Sequence, residues 1–164
     1  MKRLLLHSCC APCSSAVLEK LKNDYDITVF FYNPNILPIE EYQKRFDEQK
    51  RFLKEEHPTV PIIEGEYNPG VPNCCEECFL IRLEETAKTA ALHGFDCFTT
   101  SLTVSSKKKA STINPIAAAV AGRYKVEAIQ DDFKKKNGYN RSVELSKKYN
   151  LYRQVYCGCK TIDN

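Results

Sequence analysis

The chain has 164 residues, of which 27% are charged and 43% are apolar. A chain of this length can bury a core as one domain without help from disulfides, which excludes the class of small disulfide-framework proteins. The formal net charge of +3 at pH 7 is too small to indicate an anionic partner by itself. We therefore expect a single domain over residues 1–164.

The amino-terminal apolar run, residues 4–6, ends at His7 and Ser8. It is shorter than the roughly 7 to 15 apolar residues of a signal-peptide core. No stretch approaches the roughly 20 apolar residues of a membrane helix. The sequence thus predicts a soluble, cytoplasmic protein without a membrane partner, in a compartment where thiols stay reduced.

Short apolar runs alternate with longer amphipathic segments along the chain. Strands are predicted at residues 4–7, 27–32, 60–63, 95–100 and 126–129, and helices at 14–22, 39–56, 79–92, 113–122 and 142–150. This alternation indicates a Rossmann-like or HUP-like α/β domain, with a mainly parallel sheet and flanking helices. Ligands of such folds bind beyond the carboxyl ends of the strands, where we expect a cysteine metal site.

The cysteines are grouped rather than scattered. Eight of the nine lie among polar and turn-forming residues, in three groups: Cys9, Cys10 and Cys13; Cys74, Cys75 and Cys78; and Cys157 and Cys159. Cys97 stands alone in an apolar strand and is predicted to be a core residue. Grouped thiols in a reducing compartment indicate metal ligands or redox catalysts.

The second cysteine group is predicted to open the helix over residues 79–92, whose core face would carry Leu80, Leu83, Ala87 and Ala91. The first two groups together can supply four thiolates, which both zinc and an iron-sulfur cluster accept. Zinc ribbons usually place their cysteine knuckles on hairpins, whereas a helix N-terminus stabilises thiolates and an anionic cluster. We therefore favour a cluster and keep zinc as the alternative.

Two other features leave alternatives open. Cys157-Gly158-Cys159 is too short for an unstrained disulfide, and strained disulfides are readily reduced, so the pair is either a reversible redox centre or a ligand pair for a second metal. His7, beside the first cysteine group, either tunes the metal centre or is a hydrogen-bonded structural residue.

Six segments, in this order, resemble the QueH-type epoxyqueuosine reductases: LLLHSCCAPCS, FFYNPNI with EYQKR after it, CCEECFLIRLEETA, FTTSLTVSSKK, DDFKKKNGYNRS and LYRQVYCGC. Together they cover nearly the whole chain. The resemblance implies an oxidoreductase that removes the epoxide oxygen from epoxyqueuosine in the tRNA anticodon loop, giving queuosine and water. It also implies a [4Fe-4S] cluster, tRNA as a partner, and an electron donor that the sequence does not identify.

Carried over by motif, the cluster ligands are Cys9, Cys10, Cys75 and Cys78, and the redox pair is Cys157 and Cys159. Opening an epoxide to an alkene takes two electrons and two protons, whereas a cluster passes electrons singly. We therefore predict that a spare thiol, Cys13, takes part in catalysis, and the spare thiols leave room for a second iron.

Basic residues that are expected near the cysteine site, or that are mixed with aromatic residues, are predicted to contact the tRNA, because an anticodon loop offers phosphates and splayed bases. They are Lys107, Lys108, Lys109, Lys134, Lys135, Lys136, Arg141 and Arg153. The alternative for the lysine runs is a solvated surface.

Three other functions fit the sequence less well. A nucleotide-dependent tRNA thiolase needs a glycine-rich phosphate loop after the first strand, and HSCCAPCSS contains no glycine. A non-catalytic zinc module that binds RNA would leave the terminal cysteine pair without a role. A plain thiol-disulfide oxidoreductase needs one active pair and does not call for eight grouped cysteines.

Overall fold

A computed structural model describes residues 1–70 and 75–154 of the chain. For Cys75 it describes the backbone but not the side chain. Within these residues the strands are β1 (Lys2–His7), β2 (Tyr25–Phe31), β3 (Ile62–Glu64), β4 (Cys97–Thr100) and β5 (Glu127–Ala128). The helices are α1 (Ala11–Leu21), α2 (Ile39–Glu56), α3 (Cys75–Leu92), α4 (Ala110–Tyr124) and α5 (Gly138–Lys148), with a short 3-10 helix at Leu102–Val104. The predicted alternation of strands and helices is confirmed.

The strands form one sheet in the order β3-β2-β1-β4-β5, and all its neighbouring pairs are parallel. Strand β1 is central: Leu4 pairs with Ile27 of β2 on one side and with Cys97 of β4 on the other. The carboxyl ends of β1, β2 and β4 therefore meet at one edge of the sheet, which is where this class of fold binds ligands.

Both faces of the sheet are covered, as a parallel sheet requires. Leu5 points into an apolar cluster with residues of α3 and α4, whereas Leu4 and Leu6 point into a second cluster with residues of α1 and the end of α2. Cys97 lies in this second cluster with no exposed surface, which confirms its predicted place in the core. Helix α5 packs against α1. In the part of the chain that the structure describes, no helix is both long and apolar enough to cross a membrane.

The core face of α3 differs from the prediction at its two outer positions. Leu80 and Ala91 are exposed, and the buried residues are their neighbours Phe79 and Ala90. The buried residues Phe79, Leu83, Ala87 and Ala90 recur at intervals of three or four, so the side that faces the sheet passes one residue before Leu80 and Ala91. The first turn of α3 carries Cys75 and Cys78 of the second cysteine group, which agrees with the predicted place of these two residues at the start of the helix.

The turn that leads into α5 leaves no room for a side chain at its glycine. Lys136 and Asn137 have positive φ angles of 53° and 69°. A Cβ added to Gly138 would overlap the carbonyl oxygen of Phe133. Only glycine fits this position without moving the backbone.

We expect Gly138→Ala to lower the free energy of unfolding by about 2 kcal/mol or more, because the turn must shift to admit a methyl group. The matched control is Gly122→Ala in α4, where nothing lies within 4 Å of an added Cβ; it should raise stability by about 0.5–1 kcal/mol. Urea denaturation of both variants checks this. Wild-type stability of Gly138→Ala would contradict the geometry of the turn.

Candidate metal centre

The first cysteine group lies in the short connection between β1 and α1. Cys10 is the residue before the helix and has extended backbone angles, φ −172° and ψ 164°. The chain bends into the helix at Ala11, which brings the Sγ atoms of Cys9 and Cys10 to 3.9 Å from each other. Cys13 lies on the first turn, and the three Sγ atoms all lie within 4.8 Å of one another.

Hydrogen bonds from two other elements fix this connection. The amide of Cys9 donates to the Ser101 hydroxyl after β4 (3.2 Å), which also lies 3.4 Å from Cys9 Sγ. The hydroxyls of Ser8 and Ser14 donate to Gln49 Oε1 of α2, at 2.5 and 3.1 Å. Gln49 is completely buried, and its Nε2 has no partner within residues 1–70 and 75–154. The cysteine loop is thus held by polar contacts on both sides.

The three thiols share their protons unequally. Hydrogen bonds from Cys10 and Cys13 hold the pKa of Cys9 well below its usual value, in spite of its burial. Hydrogen bonding to Cys10 and Cys9, together with burial, raises the pKa of Cys13 well above its usual value. Without a bound cation the group therefore favours one thiolate at Cys9. A soft metal ion would displace the remaining protons, because thiolate is the form that binds it.

The second cysteine group approaches the first across a small cavity. Cys78, on the first turn of α3, is buried, and Asn35 Nδ2 donates to its Sγ at 3.1 Å. Cys78 and Cys9 both line a cavity of about 30 Å³, here called the inner cavity. Cys74 and the side chain of Cys75 lie outside the described residues. Cys13 lies on the first turn of α1, directly after Cys9 and Cys10, and Cys78 lies on the first turn of α3; unpaired amides at such helix starts favour negative charge.

Three cationic side chains, Arg45, Arg82 and Lys108, line the inner cavity, and Arg45 is paired with Glu41. Burial disfavours the charged form of Lys108, but its charge interaction with the cysteine thiols, with Cys9 first, outweighs burial and raises the pKa of Lys108 above its usual value. Positive charge therefore faces the sulfur atoms from α3 and from the loop before α4.

His7 is a structural residue at the end of β1. It is completely buried; its Nε2 donates to the carbonyl of Tyr32, and the hydroxyl of Thr100 donates to its Nδ1, both at 2.9 Å. Burial lowers the pKa of His7 to about 4, and the charges of Arg82 and Lys108 act in the same direction. The ring is therefore neutral at pH 7 with both nitrogens engaged, which supports the structural alternative.

A larger opening, the outer cavity, adjoins the cysteines. Its volume is about 220 Å³, and Cys10 and Cys13 lie in its wall. The rest of the wall includes Ser142 and Tyr139 of α5 and the chain after α5, at Arg153. Lys108 and Gln154 line both cavities, so the two adjoin there. A ligand in the outer cavity would lie beside thiols and a lysine.

The chain after α5 is held against α2. Arg51 Nη2 donates to the carbonyl oxygens of Tyr149 and Asn150, both at 3.1 Å. Glu48 accepts the amide of Tyr152 at 2.6 Å. These contacts hold the chain so that Gln154 lines both cavities beside the cysteines. The predicted redox pair, Cys157 and Cys159, lies outside the described residues.

The lysines predicted to contact tRNA divide into two kinds. Lys107, Lys109, Lys135 and Lys136 are exposed, as is Arg153. By contrast, the ammonium of Lys134 donates to the carbonyl of Lys108 (2.9 Å) and to Asp132 (3.0 Å), which joins the two lysine runs. Arg141 forms a two-pronged ion pair with Glu19, each contact 2.7 Å long. Contact with tRNA stays a prediction for all eight residues.

Several residues of the site are not predicted from the sequence. Asn33 and Asn35 follow β2 at the ligand-binding edge, in a segment whose composition indicates only a loop. Arg82 and Gln49 lie inside helices and are buried. The sequence feature that could have identified them is a polar residue on the apolar side of an amphipathic helix. Such a residue must find buried partners, so it marks a polar site within the core.

Comparison with known proteins relates the chain to one family. The family model described as "Epoxyqueuosine reductase QueH" matches residues 4–162. The protein of that name from Staphylococcus epidermidis is 41% identical, over 96% of this chain and 74% of its own length. Those from Streptococcus pyogenes and Thermotoga maritima are 40% and 32% identical, over 95% and 97% of this chain and 68% and 89% of their own lengths. The motif resemblance is thus confirmed along nearly the whole chain.

We expect Cys9→Ala, Cys10→Ala and Cys13→Ala each to lower the affinity of the metal-free protein for Co²⁺ by about tenfold or more, because each removes one of three adjacent thiolate donors. Cys97→Ala is the matched control, since Cys97 is buried in β4 with its thiol directed to the carbonyl of Arg3. Anaerobic titration, followed by the thiolate-to-cobalt absorption, checks this. Equal affinities in all four variants would show that Co²⁺ binds elsewhere.

Proposed function

This chain belongs to the QueH family of epoxyqueuosine reductases, and we propose that it performs the reduction with an iron-sulfur centre at the carboxyl edge of its sheet. The reaction converts the epoxide of epoxyqueuosine in tRNA to the alkene of queuosine. It consumes two electrons and two protons and releases the oxygen as water. The observation that carries the proposal is that Cys9 and Cys78, one from each cysteine group, line the same inner cavity, while Cys10 and Cys13 line the larger outer cavity that adjoins it.

The donor set fits a [4Fe-4S] cluster in its chemistry. We assign its ligands to Cys9, Cys10, Cys75 and Cys78; the choice of Cys75 rests on its motif position, three residues before Cys78. The helix N-termini and the charges of Arg82 and Lys108 support an anionic centre here. When bound, a cluster supplies single electrons at this edge. The close spacing of Cys9, Cys10 and Cys13 also suits one zinc ion, so metal analysis must separate the two.

Substrate binding is assigned to the outer cavity, because Cys10, Cys13 and Lys108 all line it. As the carbon-oxygen bond breaks, negative charge grows on the leaving oxygen, and the Lys108 ammonium would stabilise it. In the metal-free protein, hydrogen bonds to Cys10 and Cys9 and burial raise the pKa of Cys13, whose Sγ lies beside the same cavity, so a Cys13 that binds no metal would hold a proton there. We assign Cys13 to this protonated role or to binding a second iron.

The terminal pair is assigned to electron supply. Three residue steps separate Cys157 from Gln154, which lines both cavities, and such a segment spans at most about 10 Å. Oxidation of Cys157 and Cys159 from two thiols to a disulfide would release the two electrons and two protons that the reaction needs. An external donor, not yet identified, would then reduce the disulfide. Binding of a second iron by the pair remains the alternative assignment.

Recognition of tRNA is assigned to the exposed lysines and Arg153 rather than to Lys134. The side chain of Lys134 is held by Asp132 and the Lys108 carbonyl, so it supports the loop from within. Lys107 and Arg153 line the outer cavity, where Tyr139 offers a ring for base stacking.

Protein purified without oxygen should contain about four irons and four sulfides per chain, as a [4Fe-4S] cluster requires. Replacing Cys9, Cys10, Cys75 or Cys78 by alanine should remove most of the iron and sulfide, whereas Cys97→Ala keeps both. Iron and sulfide assays on each variant check this. Zinc without sulfide in the wild-type protein would instead favour the non-catalytic RNA-binding alternative.

Cys157→Ala and Cys159→Ala should keep full iron and sulfide but stop conversion of epoxyqueuosine to queuosine in tRNA, because each removes half of the redox pair. The measurement is nucleoside analysis of tRNA after reaction with a chemical reductant. Intact turnover in both variants would remove the pair from the mechanism.

Replacing Lys107, Lys109 and Lys135 together by glutamine should weaken tRNA binding and flatten its salt dependence, by roughly 0.7 in the logarithmic slope for each phosphate that the protein no longer neutralises. Arg123→Gln is a control on another surface, because Arg123 is exposed and paired with Glu84. Binding measured at several salt concentrations checks this. An unchanged slope would assign the lysine runs to a solvated surface.

A further inference from the structure

Arg82 is a buried cation that the reaction above does not use. It lies on α3, and only 6% of its surface is exposed. Its Nη2 donates to Asn35 Oδ1 at 2.7 Å, its Nε to Asn33 Oδ1 at 3.3 Å and its Nη1 to the carbonyl of Cys78 at 3.3 Å. All these partners are neutral groups.

The charge of Arg82 is not balanced by a carboxylate. Among residues 1–70 and 75–154, no acidic side chain forms an ion pair with it, whereas Arg45, which lines the same inner cavity, pairs with Glu41 at 2.6 Å. A buried charge without a counter-charge is strongly unfavourable. Of the described residues that line the inner cavity, those that can carry negative charge are Cys9 and Cys78, through their sulfur atoms.

Hydrogen bonds through Asn33 and Asn35 connect Arg82 to both cysteine groups. Because Arg82 binds Asn35 Oδ1, the amide nitrogen of Asn35 is directed to Cys78 Sγ, to which it donates at 3.1 Å. Asn33 is oriented in the same way, and its amide nitrogen donates to the carbonyl of Ser8 at 3.0 Å, one residue before Cys9. One guanidinium thus fixes two amides, one at each cysteine group.

We propose that Arg82 is a positioning residue that sets the reduction potential of the metal centre, through its own charge and through the hydrogen bond from Asn35 to Cys78. This inference rests on the proposed function. Reduction adds negative charge to the centre, and a nearby cation and N–H donors to sulfur stabilise the reduced state more than the oxidised state. Arg82 and Asn35 therefore raise the potential and make the centre easier to reduce.

The test is an anaerobic redox titration of the intact protein, followed by electron paramagnetic resonance. Arg82→Gln should lower the equilibrium constant for reduction by about tenfold, which is a shift of about 59 mV to more negative potential for a one-electron couple. Asn35→Ala should also shift the reduction potential to a more negative value, by a smaller amount. Arg82→Lys keeps the positive charge but loses the planar guanidinium that binds both asparagines. Its reduction potential should lie between those of the wild type and Arg82→Gln.

Lys88→Gln is the matched control, because Lys88 is an exposed cation on the same helix; its potential should equal that of the wild type, since solvent screens it. Wild-type potentials in Arg82→Gln and Asn35→Ala at full iron content would overturn the inference. If Arg82→Gln fails to retain iron, wild-type reduction potentials in Arg82→Lys and Asn35→Ala at full iron content would overturn the inference. A wild-type protein without iron and sulfide would instead overturn the proposed function.

Discussion

The close packing of three ionisable sulfur atoms at the carboxyl edge of the sheet is the constraint that organises this structure. The Sγ atoms of Cys9, Cys10 and Cys13 lie within 4.8 Å of one another. A second negative charge at that distance is strongly disfavoured, so without a metal ion the group favours a single thiolate, at Cys9. The surrounding elements supply positive potential from several sides: the first turns of α1 and α3, and the side chains of Arg82 and Lys108. A metal centre would complete this balance.

Neutral polar groups make up the rest of the support. His7 is neutral because burial and the neighbouring cations oppose its protonation and lower its pKa. Serine hydroxyls and asparagine and glutamine amides can direct hydrogen bonds at sulfur and at the loop backbone without adding charge. Helix α2 has two tasks: Gln49 holds the cysteine loop, while Glu48 and Arg51 hold the chain after α5. One rigid helix thus relates the loop to the segment that precedes the terminal cysteines.

The predicted elements agree best with the structure where packing alone specifies them. The bounds of α2 match the prediction at both ends, because its apolar residues Tyr42, Phe46, Phe52 and Leu53 recur at helical spacing and are all buried. Helices α1 and α3 begin earlier than predicted, at Ala11 and Cys75. Their first turns consist of cysteine, proline and acidic residues, which serve the site and hide the apolar pattern.

The sequence by itself determined the order of strands and helices, the grouping of the cysteines and the place of Cys97 in the core, because these follow from local patterns of apolar and polar residues. Only the tertiary structure decided which groups meet. Arg82 and Asn35 are forty-seven positions apart, and Cys9 and Ser101 ninety-two. The strand order, with β1 between β2 and β4, brings them to one edge, and the local alternation of strands and helices does not specify that order. Burial then gives these residues their chemistry, since it removes the water that would otherwise screen their charges.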